Sequence, residues 1–135
     1  MEQKTSPHRL PDPILIEHAP VVRGRGRGKA IGIPTINLEL AVAPAGMHHG
    51  IYAAKVRIGH DEYMGAVHFG PRPVFQDSEA LEVHIIDEVI GEVPPTVDLT
   101  IIGFLRDVGD FTSVDLLVRS IQGDIATTRA MLQDA

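Results

Sequence analysis

The chain has no cysteine and no tryptophan, and only four phenylalanines and two tyrosines in 135 residues. The missing cysteine excludes disulfides, thiolate zinc sites, iron–sulfur clusters and thiol nucleophiles together, and it suits a reducing compartment; a cytoplasmic location is expected. Few aromatics leave little surface on which nucleic-acid bases could stack. No apolar run approaches the roughly 18 residues of a spanning helix, so no membrane partner is expected. The four serines, Ser6, Ser78, Ser113 and Ser120, stand outside any G-x-S-x-G elbow. Positive charge is also short: Lys plus Arg number 12 against 18 Asp plus Glu, a net charge of −6 that opposes a nucleic-acid partner.

What is present is a globular composition, 44% hydrophobic and 22% charged, in a length that suits one domain. Residues 1–13, polar and carrying Pro7, Pro11 and Pro13, read as a flexible N-terminal tail; residues 14–135 read as the domain. Thirteen glycines and ten prolines punctuate segments rich in Val, Ile and Thr with a period near two. These predict strands at Ile14–Arg23, Ile36–Ala41, Gly50–Ile58, Glu62–Phe69, Leu81–Asp87 and Thr96–Leu105. Six short strands imply a barrel or a sandwich, with a hairpin at Gly59-His60-Asp61. From Val114 the period changes: Val114, Leu117, Val118, Ile121, Ile125 and Leu132 mark one face of a closing helix. Thr112 is its expected cap, with Asp115 three residues on and Phe111 placed to staple against Leu116. Gly123 inside it costs roughly 1 kcal/mol relative to alanine.

Four of the twelve positive charges, Arg23, Arg25, Arg27 and Lys29, fall within seven residues and alternate with Gly24, Gly26 and Gly28. Glycine lets backbone N–H groups approach an anion, so Gly24 to Gly32 reads either as a phosphate cradle or as a solvated loop. It is not a Walker loop, which reads G-x-x-x-x-G-K-[ST]. Thr35 and Asn37, two apart in an extended segment, share a face; their oxygens suit a magnesium ion, or they cap the turn after Pro34. Glu82 and His84 repeat that spacing, and such a carboxylate could take a proton from a hydroxyl, although exposed glutamates on strands are common. His48-His49 has no partner at metal-ligand spacing.

Taken in order, Val21-Val22-Arg23-Gly24-Arg25-Gly26-Arg27-Gly28, Gly32-Ile33-Pro34-Thr35-Ile36-Asn37, Gly50-Ile51-Tyr52, Gly70-Pro71-Arg72-Pro73, Glu82-Val83-His84, Gly103-Phe104-Leu105-Arg106, Phe111-Thr112-Ser113 and Ile121-Gln122-Gly123-Asp124 resemble the riboflavin kinase (flavokinase) family. The resemblance covers about Ala19 to Leu132. It implies a mainly β fold, a six-stranded Greek-key β-barrel with a C-terminal α-helix. It also implies transfer of the ATP γ-phosphoryl to the 5′-hydroxyl of riboflavin, giving FMN and ADP. By the family's pattern, Gly24, Arg25, Gly26, Arg27, Gly28, Lys29 and Gly32 cover the nucleotide phosphates, Thr35 and Asn37 hold Mg2+ and the phosphates, and Glu82 is the base. Flavin contacts are expected at Arg72, His84, Arg106 and Phe111, with the segment from Arg106 to Phe111 closing over the ring.

The chain departs from that pattern at Ile36, His68, Glu88, Pro94-Pro95 and Val108, mostly on the flavin side. The alternative reading is therefore a regulatory domain that binds flavin or nucleotide without turnover. Bacterial relatives often carry an adenylyltransferase domain ahead of the kinase; a free-standing, monomeric kinase is expected here.

Overall fold

Apolar residues at every second position need a face to bury, and pairing such segments side by side supplies it. The computed structural model describes residues 7–22, 34–72, 77–109 and 113–133, with the backbone alone for 72, 77 and 78. Six strands form one sheet: β1 (His8–Pro20), β2 (Ile36–Leu38), β3 (Gly50–Ile58), β4 (Asp61–Arg72), β5 (Asp77–Ile85) and β6 (Thr96–Arg106). Their spatial order is β1-β6-β3-β4-β5-β2, every pairing antiparallel. β3, β4 and β5 follow one another as hairpins and β6 returns beside β3, which is a Greek key. The β3–β4 turn is Gly59-His60, with Ile58 opposite Asp61 and Gly59 at φ 63°, the conformation that favours glycine at the first turn position.

The barrel is not closed. Among the described residues, edge strands β1 and β2 meet at one bridge, Val21 to Leu38, flanked by hydrogen bonds from Val22 N to Asn37 O at 2.8 Å and from Glu39 N to Pro20 O at 2.9 Å. β2 is shorter than its alternation predicts because the chain turns into a 3-10 segment, Leu40–Val42, ahead of Pro44. β1 in turn begins at His8, inside the segment read as a flexible tail. His8 and Arg9 pair with Phe104 and Gly103, and the register then shifts before Ile14. Pro11 and Pro13 fall within that shift, where no ladder N–H is required of them.

Cross-strand partners share a face. Ile36, Val83, Val67, Tyr52 and Phe104 therefore line the inner face, where they join Leu81, Val56, Leu99 and Ile101 in the core. Gly65 admits two strands closely here: a Cβ on it would lie 2.7 Å from both Val56 Cγ2 and Val83 Cγ2.

Helix α1 (Val114–Gln133) packs on the outer face against β3, β4 and β6. Thr112 and Phe111 lie outside the described residues; the cap observed is Ser113, whose Oγ accepts from Leu116 N at 3.2 Å. The expected apolar stripe lies on the packed side, Leu132 buried and Leu117, Val118, Ile121 and Ile125 half-buried, with Val114 alone exposed. The stripe does not include Asp124 and Thr128, which are buried with Leu132 at spacings of four. Arg106 meets the first of them, its Nε and Nη2 donating to Asp124 Oδ1 and Oδ2 at 2.8 Å each. Met131 packs beside them on Ile51, Ala53 and Leu105, and Arg9 Nη2 donates to Met131 O at 2.7 Å. Among the described residues no helix is long and apolar enough to cross a membrane.

Gly123 is exposed, with open space where a Cβ would stand. Gly123→Ala is thus expected to raise unfolding free energy by about 0.5–1 kcal/mol in denaturant titrations, whereas Gly65→Ala overpacks the core and lowers it by roughly 1–3 kcal/mol. Burial lifts the Asp124 carboxyl above its ordinary 3.8, against the opposing pull of Arg106. The folded chain then holds this proton to higher pH than the unfolded one, so the group's contribution to stability falls as pH rises past its ordinary value. Stability of the wild type minus that of Asp124→Asn is expected to decline as pH is raised from about 4 to about 6; a rising difference would mean that the attraction of Arg106 outweighs burial.

Candidate active site

The register that buries Ile36 and Val83 puts their neighbours on the opposite face. Asn37 stands opposite Glu82, Glu82 opposite His68, His68 opposite Ile51, and Ile51 opposite Arg106. This outer row crosses five strands and ends under helix α1. Thr35 leads into β2 two positions before Asn37 and so reaches the row: its Oγ1 donates to Glu82 Oε2 at 3.4 Å. Three of the expected site residues, Thr35, Asn37 and Glu82, are therefore together although 47 positions separate the first from the last. Glu82 is 5% exposed, so its carboxylate depends on such polar neighbours.

His84, two residues on, faces Pro34, with Nδ1 2.8 Å from Pro34 O. A carbonyl only accepts, so Nδ1 carries the hydrogen in this assignment. His84, expected to contact the flavin, thereby also holds the backbone that presents Thr35. His68 Nε2 likewise donates to Gly70 O at 3.0 Å and Pro71 O at 3.1 Å, tying down the end of β4 beside Glu82. Gly70 has φ 134° and is closely approached, since a Cβ there would sit 3.1 Å from both His49 Cβ and Val108 Cγ2.

Arg106, the other described flavin candidate, directs Nε and Nη2 to Asp124 and Nη1 to Asp107 O at 3.1 Å. Gly24, Arg25, Gly26, Arg27, Gly28, Lys29, Gly32 and Phe111 lie outside the described residues, as does the side chain of Arg72. His48 lies 3.3 Å from Asp107, and His49 pairs with Glu79. Among the described residues no group of three His, Asp or Glu is placed to hold a metal ion. The oxygen donors of Thr35 and Asn37 nevertheless fit a hard cation that keeps waters and phosphate oxygens as its remaining ligands.

Sequence reasoning did not find Asp124 as the partner of Arg106; a lone acid inside an amphipathic helix carries no signal of what it meets. It also missed a cavity of about 360 Å³ on the inner side of the sheet, lined by Leu10, Ile14, Met47, His48, Tyr52 and Phe104 among others. Tyr52 donates its hydroxyl to His48 O and meets the Phe104 ring edge-on at 5.4 Å. Burial, and after it the Asp107 carboxylate, raise the Tyr52 phenol above its ordinary 10.0, so it stays a donor near neutral pH.

With this geometry in place, comparisons with known proteins agree. The family model for flavokinase, described as riboflavin kinase, matches residues 11–132. Riboflavin kinase from Mus musculus is 35% identical over 122 residues, 83% of this chain and 77% of the mouse protein. A solved structure described as a macrolide-efflux protein from Streptococcus pneumoniae superposes with TM-score 0.73 at 31% identity, over 87% of this chain and 38% of that one. Riboflavin kinase from Trypanosoma brucei shares the fold at TM-score 0.59 and 22% identity, over 96% of this chain and 82% of its own. A match that spans the sheet, the Thr35–Asn37–Glu82 row and the helix places this chain in the riboflavin kinase family.

Proposed function

We propose that this chain transfers the γ-phosphoryl group of ATP to the 5′-hydroxyl of riboflavin, releasing FMN and ADP. The observation that carries the reading is the buried Glu82 carboxylate held beside Thr35 and opposite Asn37. Phosphoryl transfer runs through a loose transition state, so the protein's work is to align the two oxygens with phosphorus and to offset charge on the non-bridging oxygens. Thr35 and Asn37 would hold a magnesium ion, which when bound neutralises the nucleotide phosphates. Arg25, Arg27 and Lys29, with the glycines between them, add positive charge and backbone N–H donors for the same polyanion.

Glu82 orients the ribityl hydroxyl and takes its proton as the oxygen–phosphorus bond forms and the bond to the ADP oxygen breaks. His84 fixes Pro34 and so keeps Thr35 near that carboxylate. The acceptor approaches along the outer row from the side of helix α1, because β2, with Thr35 and Asn37, lies at the opposite end of that row.

Incubation with riboflavin, ATP and magnesium is expected to yield FMN on chromatography, and chelation of the metal to stop it; a folded sample that forms no FMN over hours overturns the reading. Glu82→Gln is expected to lower kcat at least about a hundredfold while ATP affinity changes little. Unchanged turnover in that variant removes Glu82 from the base role.

A further inference from the structure

Arg106 occupies the outer row three strands from Glu82, a separation of roughly 14 Å at ordinary strand spacing. Its guanidinium joins two pieces of chain that do not otherwise share a strand. Nε and Nη2 form a two-pronged pair with Asp124 of α1, and Nη1 donates to the carbonyl of Asp107, where the chain leaves β6. The next residue, Val108, lies against Gly70, two positions beyond His68, which is the cross-strand neighbour of Glu82. One side chain therefore sets both the helix and the segment Asp107–Gly109, which runs back towards the base. Asp124 is 6% exposed, so loss of Arg106 strands a buried charge rather than merely removing a contact, and loss of Asp124 takes the two-pronged partner from a part-buried guanidinium.

We propose that Arg106 and Asp124 are positioning residues for the flavin acceptor: the pair fixes α1 and Asp107–Gly109 as the wall opposite Glu82. Arg106 acts through Asp124 and the Asp107 carbonyl. This rests on the riboflavin kinase reading and assigns what sets riboflavin affinity within it. The nucleotide end of the row, at Thr35 and Asn37, is four strands from Arg106, two further than His68, so ATP binding is spared.

Asp124→Asn is expected to raise the riboflavin KM about tenfold, with the ATP KM and kcat at saturating riboflavin within about twofold of wild type. Arg106→Lys keeps the charge but loses the fork, and should shift the riboflavin KM in the same direction by less; it also serves if Asp124→Asn does not fold. Riboflavin binding, read by fluorescence quenching without ATP, should weaken in parallel with KM. An unchanged riboflavin KM in folded variants, or an equal rise in the ATP KM, overturns the positioning role while leaving the kinase reading intact. A wild type that binds riboflavin but forms no FMN sinks the kinase reading, and the binding assay then judges the pair by itself. A wild type that does not bind riboflavin overturns both.

Discussion

The pleat of the sheet is the constraint on which this molecule depends. Across β2, β5, β4, β3 and β6, one set of residues, Ile36, Val83, Val67, Tyr52 and Phe104, faces the core; their immediate neighbours Asn37, Glu82, His68 and Ile51 face outwards, and a register shift after Phe104 brings Arg106 opposite Ile51. A slip of one residue between β5 and its neighbours would exchange the two sets, placing the Glu82 carboxylate among Val67 and Phe69 and exposing Val83. The hydrophobic drive that fixes the register therefore also fixes the site. Gly65 helps because its missing Cβ lets Val56 and Val83 close over it.

On the outer face, polar groups are bound to specific partners. Glu82 has Thr35, His84 has Pro34 O, His68 has Gly70 O and Pro71 O, and Arg106 has Asp124 and Asp107 O. Most of these contacts hold backbone rather than another functional side chain. Such an arrangement preorganises a site for phosphoryl transfer, in which small misplacements are costly and little covalent chemistry falls to the protein. The Thr128 hydroxyl is an exception, buried with no hydrogen-bond partner among the described residues. It lies one turn beyond Asp124 on the buried side of the helix.

The strands were legible because alternation is local, and β3, β4 and β6 lie close to their expected limits. The start of β1 was not legible, since Pro11 and Pro13 argue against a strand until the register shift that absorbs them is known. Nor was the open seam between β1 and β2, which depends on sheet curvature rather than on any one segment. Thr35, Asn37 and Glu82 were found through order and resemblance, and the register then explains their proximity. Apolar spacing found the packed side of the helix, but not the buried Asp124 at its edge, because the partner that makes that burial tolerable, Arg106, lies 18 positions away.

The single bridge between Val21 and Leu38 has a mechanical meaning. β2 is joined to β5 by a ladder that contains the Asn37–Glu82 pair, but among the described residues to the end of β1 by only a few backbone hydrogen bonds. If the sheet breathes, it parts along that seam, and β2 swings with β5 as one leaf. Thr35, Asn37 and Glu82 would then travel together, so the seam can part without disturbing the spacing between Thr35 and Glu82.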